Sequence, residues 1–146
     1  MNTPASSLQS LSRVRVVMVS TSHPGNIGSA ARAMKTMGLS DLVLVAPRHE
    51  NATGDAQAIA LASGATDVLE SARIVATLAD ALVDVRFALA LTSRRRELSH
   101  GMAGLREAAA TAVTELCADS ASTARVARCL ATKRLDCPTK KSTAAN

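Results

Sequence analysis

Residues Val14–Pro47 read VRVVMVSTSHPGNIGSAARAMKTMGLSDLVLVAP, and this stretch decides the fold. Val14 to Val19 is nearly unbroken in β-branched and apolar residues, the composition of a strand covered on both faces, as strands of parallel sheets are. Ser20 to Asn26 turns the chain. From Ile27 the apolar spacing changes to threes and fours, through Ala30, Ala31, Met34 and Met37. That spacing predicts a helix, with Gly38 as its C-terminal stop. Arg32 and Lys35 share another face of it. Leu42 to Ala46 is a second buried strand, closed by Pro47. Strand, helix, strand in this order requires a crossover connection, so the expected class is α/β with a parallel sheet.

Further along, Arg48 to Asp55 is polar and loop-like, and Ala56 to Ser63 predicts a short helix ended by Gly64. Asp67 to Leu69 is a strand candidate, and Thr77 is placed to cap a helix running to about Leu82. Arg86 to Leu91 has the character of another buried strand. The run Thr92-Ser93-Arg94-Arg95-Arg96-Glu97 follows at its carboxyl end, where α/β sheets hold their ligand loops. Leu105 to Leu116 is Ala-rich and helical, and Arg125 to Ala127 begins one more strand. No internal repeat is visible. A chain of 146 residues suits one domain. The expected division is a disordered tail at 1–12, the domain at 13–127, and a foreign, basic tail at 128–146.

Composition narrows the function. Hydrophobic residues make up 47% of the chain, but Phe87 is its only aromatic, so the core must be built from small side chains packed closely. The same lack removes the aromatic platform on which single-stranded nucleic acids usually stack. A formal net charge of +5 favours a polyanionic partner, because Lys and Arg near phosphates gain from counterion release. Cys117, Cys129 and Cys137 lack zinc-site spacing, and their odd number argues against a disulfide framework, so a reduced, cytoplasmic setting is expected. His49 and His100 have no spacing that suggests metal. The opening residues lack the pattern of a signal peptide, and no segment is apolar enough for a membrane span.

The turn and helix start around Thr21-Ser22-His23-Pro24-Gly25-Asn26-Ile27-Gly28 form an anion-friendly corner. Amide groups at a helix start favour phosphate, Gly25 and Gly28 allow backbone and ligand to come close, and Arg32 projects from further along the helix. Pro-Gly-Asn is also ordinary turn chemistry, and small helical residues commonly serve packing. The spacing is not Gly-x-Gly-x-x-Gly, so no dinucleotide fingerprint is present.

This segment resembles the first motif of SpoU/TrmH-type (SPOUT class) RNA ribose 2′-O-methyltransferases. Its His-Pro-Gly-Asn form is similar to the TrmJ-like, tRNA-directed branch that methylates a cytidine or uridine ribose in the anticodon loop. The resemblance extends from about Val14 to Arg125 and takes in Gln57-Ala58-Ile59-Ala60, Ser63-Gly64-Ala65 and Leu91-Thr92-Ser93. It implies a parallel-sheet α/β-knot fold, S-adenosyl-L-methionine as methyl donor, no metal, tRNA as partner and a homodimer held largely through the knot. By the same resemblance Asn26 and Arg32 are catalytic, and Thr92, Ser93 and Arg94 touch the donor, although Arg94 stands where a small residue is expected. Arg95 and Arg96 suit phosphate contact, as do Lys35 and His23, although an arginine loop is also an ordinary solvated feature and His23 an ordinary turn residue.

Members of that family continue with a Gly-x-Glu-x-x-Gly-Leu segment and a Ser-Ser-Leu-Asn-type segment, which build the knot and cradle the donor. Neither occurs in these 146 residues. From Arg128 the chain reads Arg-Cys-Leu-Ala-Thr-Lys-Arg-Leu-Asp-Cys-Pro-Thr-Lys-Lys-Ser-Thr-Ala-Ala-Asn. Taking the third base of each codon from Cys129 onward with the first two of the next permits Phe-Gly-Asn-Glu-Thr-Ser-Gly-Leu-Ser-Asn-Glu-Glu. That is the missing motif at its expected place. Several wobble bases are free choices, while the leucine is forced by Asp136 and Cys137. The expectation is a frameshift near Arg128 that leaves the knot portion missing, the donor pocket incomplete, dimerisation impaired and the chain inactive. Coding DNA unable to spell the motif would remove it. Two other readings stay open: a noncatalytic RNA- or anion-binding α/β domain, and a flavodoxin-like nucleotide binder.

Overall fold

A computed structural model describes residues 11–91, 103–117 and 125–131. Its first three elements are β1 (Val14–Val19), α1 (Pro24–Thr36) and β2 (Asp41–Val45), the strand, helix and strand expected from the sequence. After them come α2 (Ala56–Ala62), α3 (Thr66–Glu70), β3 (Arg73–Val75) and α4 (Leu78–Ala81). The last three are β4 (Val85–Leu91), α5 (Leu105–Cys117) and β5 (Arg125–Ala131). The strands form one sheet in the order β3-β2-β1-β5-β4, and every neighbouring pair is parallel. The fold is therefore α/β. Residues beyond Ala131, where the resemblance puts the knot-forming segments, lie outside the described residues, as do residues 1–10 of the tail expected at 1–12.

Alternation along the central strands divides the core in two. Val16 and Met18 of β1 and Leu42 and Leu44 of β2 point to one face, where they meet Ile27, Ala31 and Met34 of α1. Ala58 and Ala62 of α2 and Val68 and Leu69 of α3 complete that layer. Val17, Val43, Val45, Ala127 and Cys129 point to the other face, against Ala81 of α4. Both faces of β1 are thus covered, which is why its sequence has no polar alternation.

Three features differ from the sequence reading. Asp67 to Leu69 is helical: the neighbours Val68 and Leu69 are buried in the same layer, which adjacent positions on a helix allow and successive positions on a strand, pointing to opposite faces, do not. Strand β3 was not anticipated, since three residues with a mostly exposed pattern carry no period to read. Strand β4 is only half-buried, with Arg86, Ala88 and Ala90 exposed, because it is the edge of the described sheet. The strand expected to begin at Arg125 is present as β5, which runs to Ala131. The helix capped at Thr77 is present, with reciprocal bonds between Thr77 and Asp80.

One polar residue lies inside the apolar run of β1. Arg15 is 2% exposed, and its guanidinium donates to Asp41 at 2.9 Å, to Asp84 at 2.6 and 3.0 Å, and to the Ala81 carbonyl at 2.7 Å. Arg125 joins both carboxylates, at 2.8 Å to Asp41 and 3.0 Å to Asp84, and Arg73 reaches Asp41 at 3.2 Å. These five side chains tie together the amino ends of the strands, and a buried guanidinium persists only when paired in this way. The hydrogen bond from Arg15 holds the Asp84 carboxyl below its ordinary range, against the opposing effect of desolvation. A carboxyl whose value is lowered on folding contributes stability above its unfolded pKa, about 3.9, and loses that contribution as pH falls through the folded value. Urea denaturation should therefore show stability dropping steeply below about pH 4. Asp84→Asn should lower stability at neutral pH and flatten that acid slope; an unchanged slope would remove Asp84 from the account.

Candidate functional site

The chain leaves β1 at the carboxyl edge of the sheet through Ser20, which has φ 51°, and leaves β2 through Ala46, with φ 42°. Both are left-handed conformations uncommon for residues with a side chain. The amide of Ser20 donates to the Val45 carbonyl at 2.9 Å and that of Ala46 to Val75 at 2.9 Å, so each strand closes its ladder just as it turns away. The two exit loops are then joined. Arg48 N–H donates to the Thr21 carbonyl at 3.1 Å, and the His49 Nε2 nitrogen lies 2.9 Å from the Ser22 carbonyl. Sequence reasoning weighed His49 only as a metal ligand, and its spacing from Ser22 gave no hint of this clasp.

Helix α1 begins immediately after that clasp. His23 is its exposed N-cap, in an extended conformation and without a side-chain capping bond, and Pro24 opens the first turn. Pro suits this position because its missing N–H has no intrahelical acceptor to lose. Gly25 and Gly28 are both buried, and their neighbours give their reason. A Cβ on Gly28 would lie 2.0 Å from the Ala58 carbonyl oxygen, and one on Gly25 would lie 2.8 Å from Leu61 Cδ1. Of the two readings open for these glycines, close approach of a ligand or packing, their neighbours support packing: they admit helix α2.

With the glycine side taken by α2 and the Ile27, Ala31, Met34 side taken by the sheet, the remaining arc of α1 is open. Asn26, Ser29, Arg32, Ala33 and Thr36 are all exposed along it. Asn26 and Arg32 are separated by about 9 Å along the helix axis and about 120° around it, with Ser29 between them. Ser29, Arg32, Ala33, Thr36, Met37 and Leu61 line an open depression of about 430 Å³. Arg32 has no carboxylate partner among the described residues, unlike the paired Arg15, Arg73 and Arg125. Lys35, one turn on, is held by Asp67 at 2.6 Å across the surface. That bond also keeps the exposed Asp67 carboxyl below its ordinary range.

Of the residues singled out in the sequence, Asn26, Arg32, His23 and Lys35 thus lie on or at the start of one helix. Thr92, Ser93, Arg94, Arg95 and Arg96 lie outside the described residues. They follow in the chain from Leu91, the last residue of β4, which stands opposite Leu130 of β5. No group of three or more metal-ligating side chains occurs among the described residues. No helix among them is long and apolar enough to cross a membrane.

Comparison with known proteins bears on this helix and sheet. Residues 13–113 match the SpoU rRNA Methylase family. The chain is 52% identical over 106 residues to the tRNA (cytidine/uridine/adenosine-2′-O-)-methyltransferase TrmJ of Pseudomonas aeruginosa, covering 73% of this chain and 40% of the relative. It is 47% identical over 105 residues to the tRNA (cytidine/uridine-2′-O-)-methyltransferase TrmJ of Sodalis glossinidius, covering 72% and 40%. The chain therefore spans about two fifths of the length of the curated relatives it matches. Among solved structures, a probable methyltransferase from Bordetella pertussis superposes with a TM-score of 0.79 at 51% identity, over 87% of this chain and 74% of that one. TrmJ from Z. mobilis superposes with a TM-score of 0.65 at 33% identity, over 80% and 49%.

Proposed function

This chain belongs to the SpoU rRNA Methylase family, and from that premise we propose that the protein serves an S-adenosyl-L-methionine-dependent transfer of a methyl group to a ribose 2′-hydroxyl of tRNA. A cytidine or uridine ribose is the proposed acceptor, in keeping with the names of the relatives, and its place in the anticodon loop follows the resemblance of the His-Pro-Gly-Asn form. The observation that carries the reading is the open arc of α1, where Asn26 is exposed and Arg32, without an acidic partner among the described residues, lines an open depression. In the reaction, a ribose 2′-oxygen takes the methyl carbon as the carbon–sulfur bond breaks, the sulfur keeps the bonding pair, and the 2′-hydroxyl proton passes to solvent water.

This chain's part is to hold the ribose in line and to stabilise its oxygen as charge develops. Arg32 does not remove the proton, since a guanidinium stays protonated in proteins. It donates hydrogen bonds to the oxygen or to a neighbouring phosphate, and the Asn26 amide orients the ribose. Thr92, Ser93 and Arg94 contact the donor at the carboxyl end of β4, while His23, Lys35, Arg95 and Arg96 contact RNA phosphates. Whole family members work as homodimers in the cytoplasm under this proposal. These 146 residues do not include the Gly-x-Glu-x-x-Gly-Leu segment, and the roles proposed here are those of this chain's residues within a whole family member.

A chimera tests the proposal, with residues 13–91 of this chain replacing the matching segment of the Pseudomonas aeruginosa relative. Labelled donor and tRNA should yield 2′-O-methylated nucleoside with the chimera. A chimera that folds and binds donor yet transfers nothing to tRNA would refute the reading.

A further inference from the structure

Helix α1 has a second flank, the one that carries Lys35. There Arg32, Lys35 and Thr36 border another depression, of about 180 Å³, whose far wall is the turn Ala62-Ser63-Gly64-Ala65 between α2 and α3. The backbone of that turn is strained at Ser63, which has φ 54° and ψ −118°, a region sparsely populated by residues with side chains. Ser63 N–H bonds to the Ile59 carbonyl at 3.3 Å and Ala65 N–H to Ala62 at 3.0 Å. The Gly64 N–H and the Ser63 hydroxyl have no partner among the described residues.

Opposite them stand two cations. Arg32 lines both depressions, and its fork of five N–H donors is able to serve both at once. Lys35 holds Asp67 in a pair exposed on both sides, 48% and 62%. Such a pair contributes little to stability, so Lys35 exchanges Asp67 for a phosphate at small cost. Arg32 and Lys35 against Asp67 leave the groove positive. Its remaining lining is small, with no aromatic ring, which fits an anion better than a nucleobase.

We propose that this groove is a phosphate subsite for RNA. A backbone phosphodiester beside the ribose held by Asn26 and Arg32 lies between Arg32 and Lys35 on one wall and the Ser63–Gly64 turn on the other. The subsite rests on RNA being the substrate, as proposed above.

Gly64 supplies the test, because a Cβ built there meets nothing within 4 Å. Gly64→Asp and Gly64→Asn therefore place side chains of nearly equal size in the groove that differ by one charge. Binding of a tRNA transcript to the full 146-residue chain is measured across salt concentrations. At about 0.1 M salt Gly64→Asp should bind about tenfold more weakly than Gly64→Asn, with a log affinity against log salt slope smaller by about 1. Equal affinity and slope for the two variants overturn the subsite while leaving the proposed function standing. An unaltered chain that binds no tRNA overturns the subsite together with the reading on which it rests.

Discussion

Arg32→Ala in the chimera is expected to cut methyl transfer by about 10²–10³-fold, the usual consequence of removing one preorganised donor from a developing oxyanion. Donor affinity should stay close to that of the parent, because Arg32 lies on the open arc of α1 whereas the residues assigned to the donor follow β4. Folding should also be unaffected. The Arg32 guanidinium has no partner among the described residues, and the helix bonds it sits among are made by its backbone. Calorimetry with the donor and single-turnover transfer to tRNA, run on the same preparation, separate the two effects. Loss of donor affinity in step with turnover would mean that Arg32 supports the donor pocket. Unchanged turnover would remove it from the chemistry.

Gly28→Ala is expected to lower the stability of the domain by about 3 kcal/mol. Two effects oppose each other. Alanine is the better helix former by roughly 1 kcal/mol, and in an exposed helix that gain would decide the sign. Here the added carbon would lie 2.0 Å from the Ala58 carbonyl oxygen and 2.9 Å from the Ala62 amide nitrogen. Both are backbone atoms and cannot rotate aside. Helix α2 would have to retreat by about 1.5 Å to restore an ordinary separation of roughly 3.5 Å, opening the layer that Ala58 and Ala62 close against Ile27 and Ala31. Urea denaturation of the two proteins measures the loss. An unchanged midpoint would show that α2 moves freely and that the small-residue seam is not what seats α1. Gly25→Ala should be milder, since its nearest neighbour is the mobile end of Leu61.

The contrast between these glycines shows where sequence reading runs out. The stretch Val14–Pro47 was legible because both faces of β1 and β2 are covered, so the strands read as continuous apolar runs. In α1, Ile27, Ala31 and Met34 make a plain buried stripe between them. Asn26 and Arg32 were singled out through the resemblance of their segment to the first motif of the SpoU/TrmH-type enzymes. What the glycines face was not legible, because Ala58 and Ala62 belong to a separate helix and nothing near Gly28 in the chain announces them. Arg15 shows the same limit. A single charge in an apolar strand does not reveal that its partners are Asp41, 26 residues on, and Asp84, 69 residues on. The groove beside Ser63 was illegible for a third reason: Ser63-Gly64 reads as an ordinary helix stop, and the positive φ falls on the serine while Gly64 carries none.

The account stands on the open arc of α1 being the surface that meets RNA, and the reactivity of Arg32 measures this directly. An arginine-selective dicarbonyl reagent is applied to the 146-residue chain with and without tRNA, and modification is read at each arginine by mass spectrometry. Arg73, also exposed but paired with Asp41 at the amino edge of the sheet, serves as the internal reference. The account predicts that tRNA shields Arg32 and leaves Arg73 as reactive as before. Equal modification of Arg32 with and without bound tRNA would contradict it.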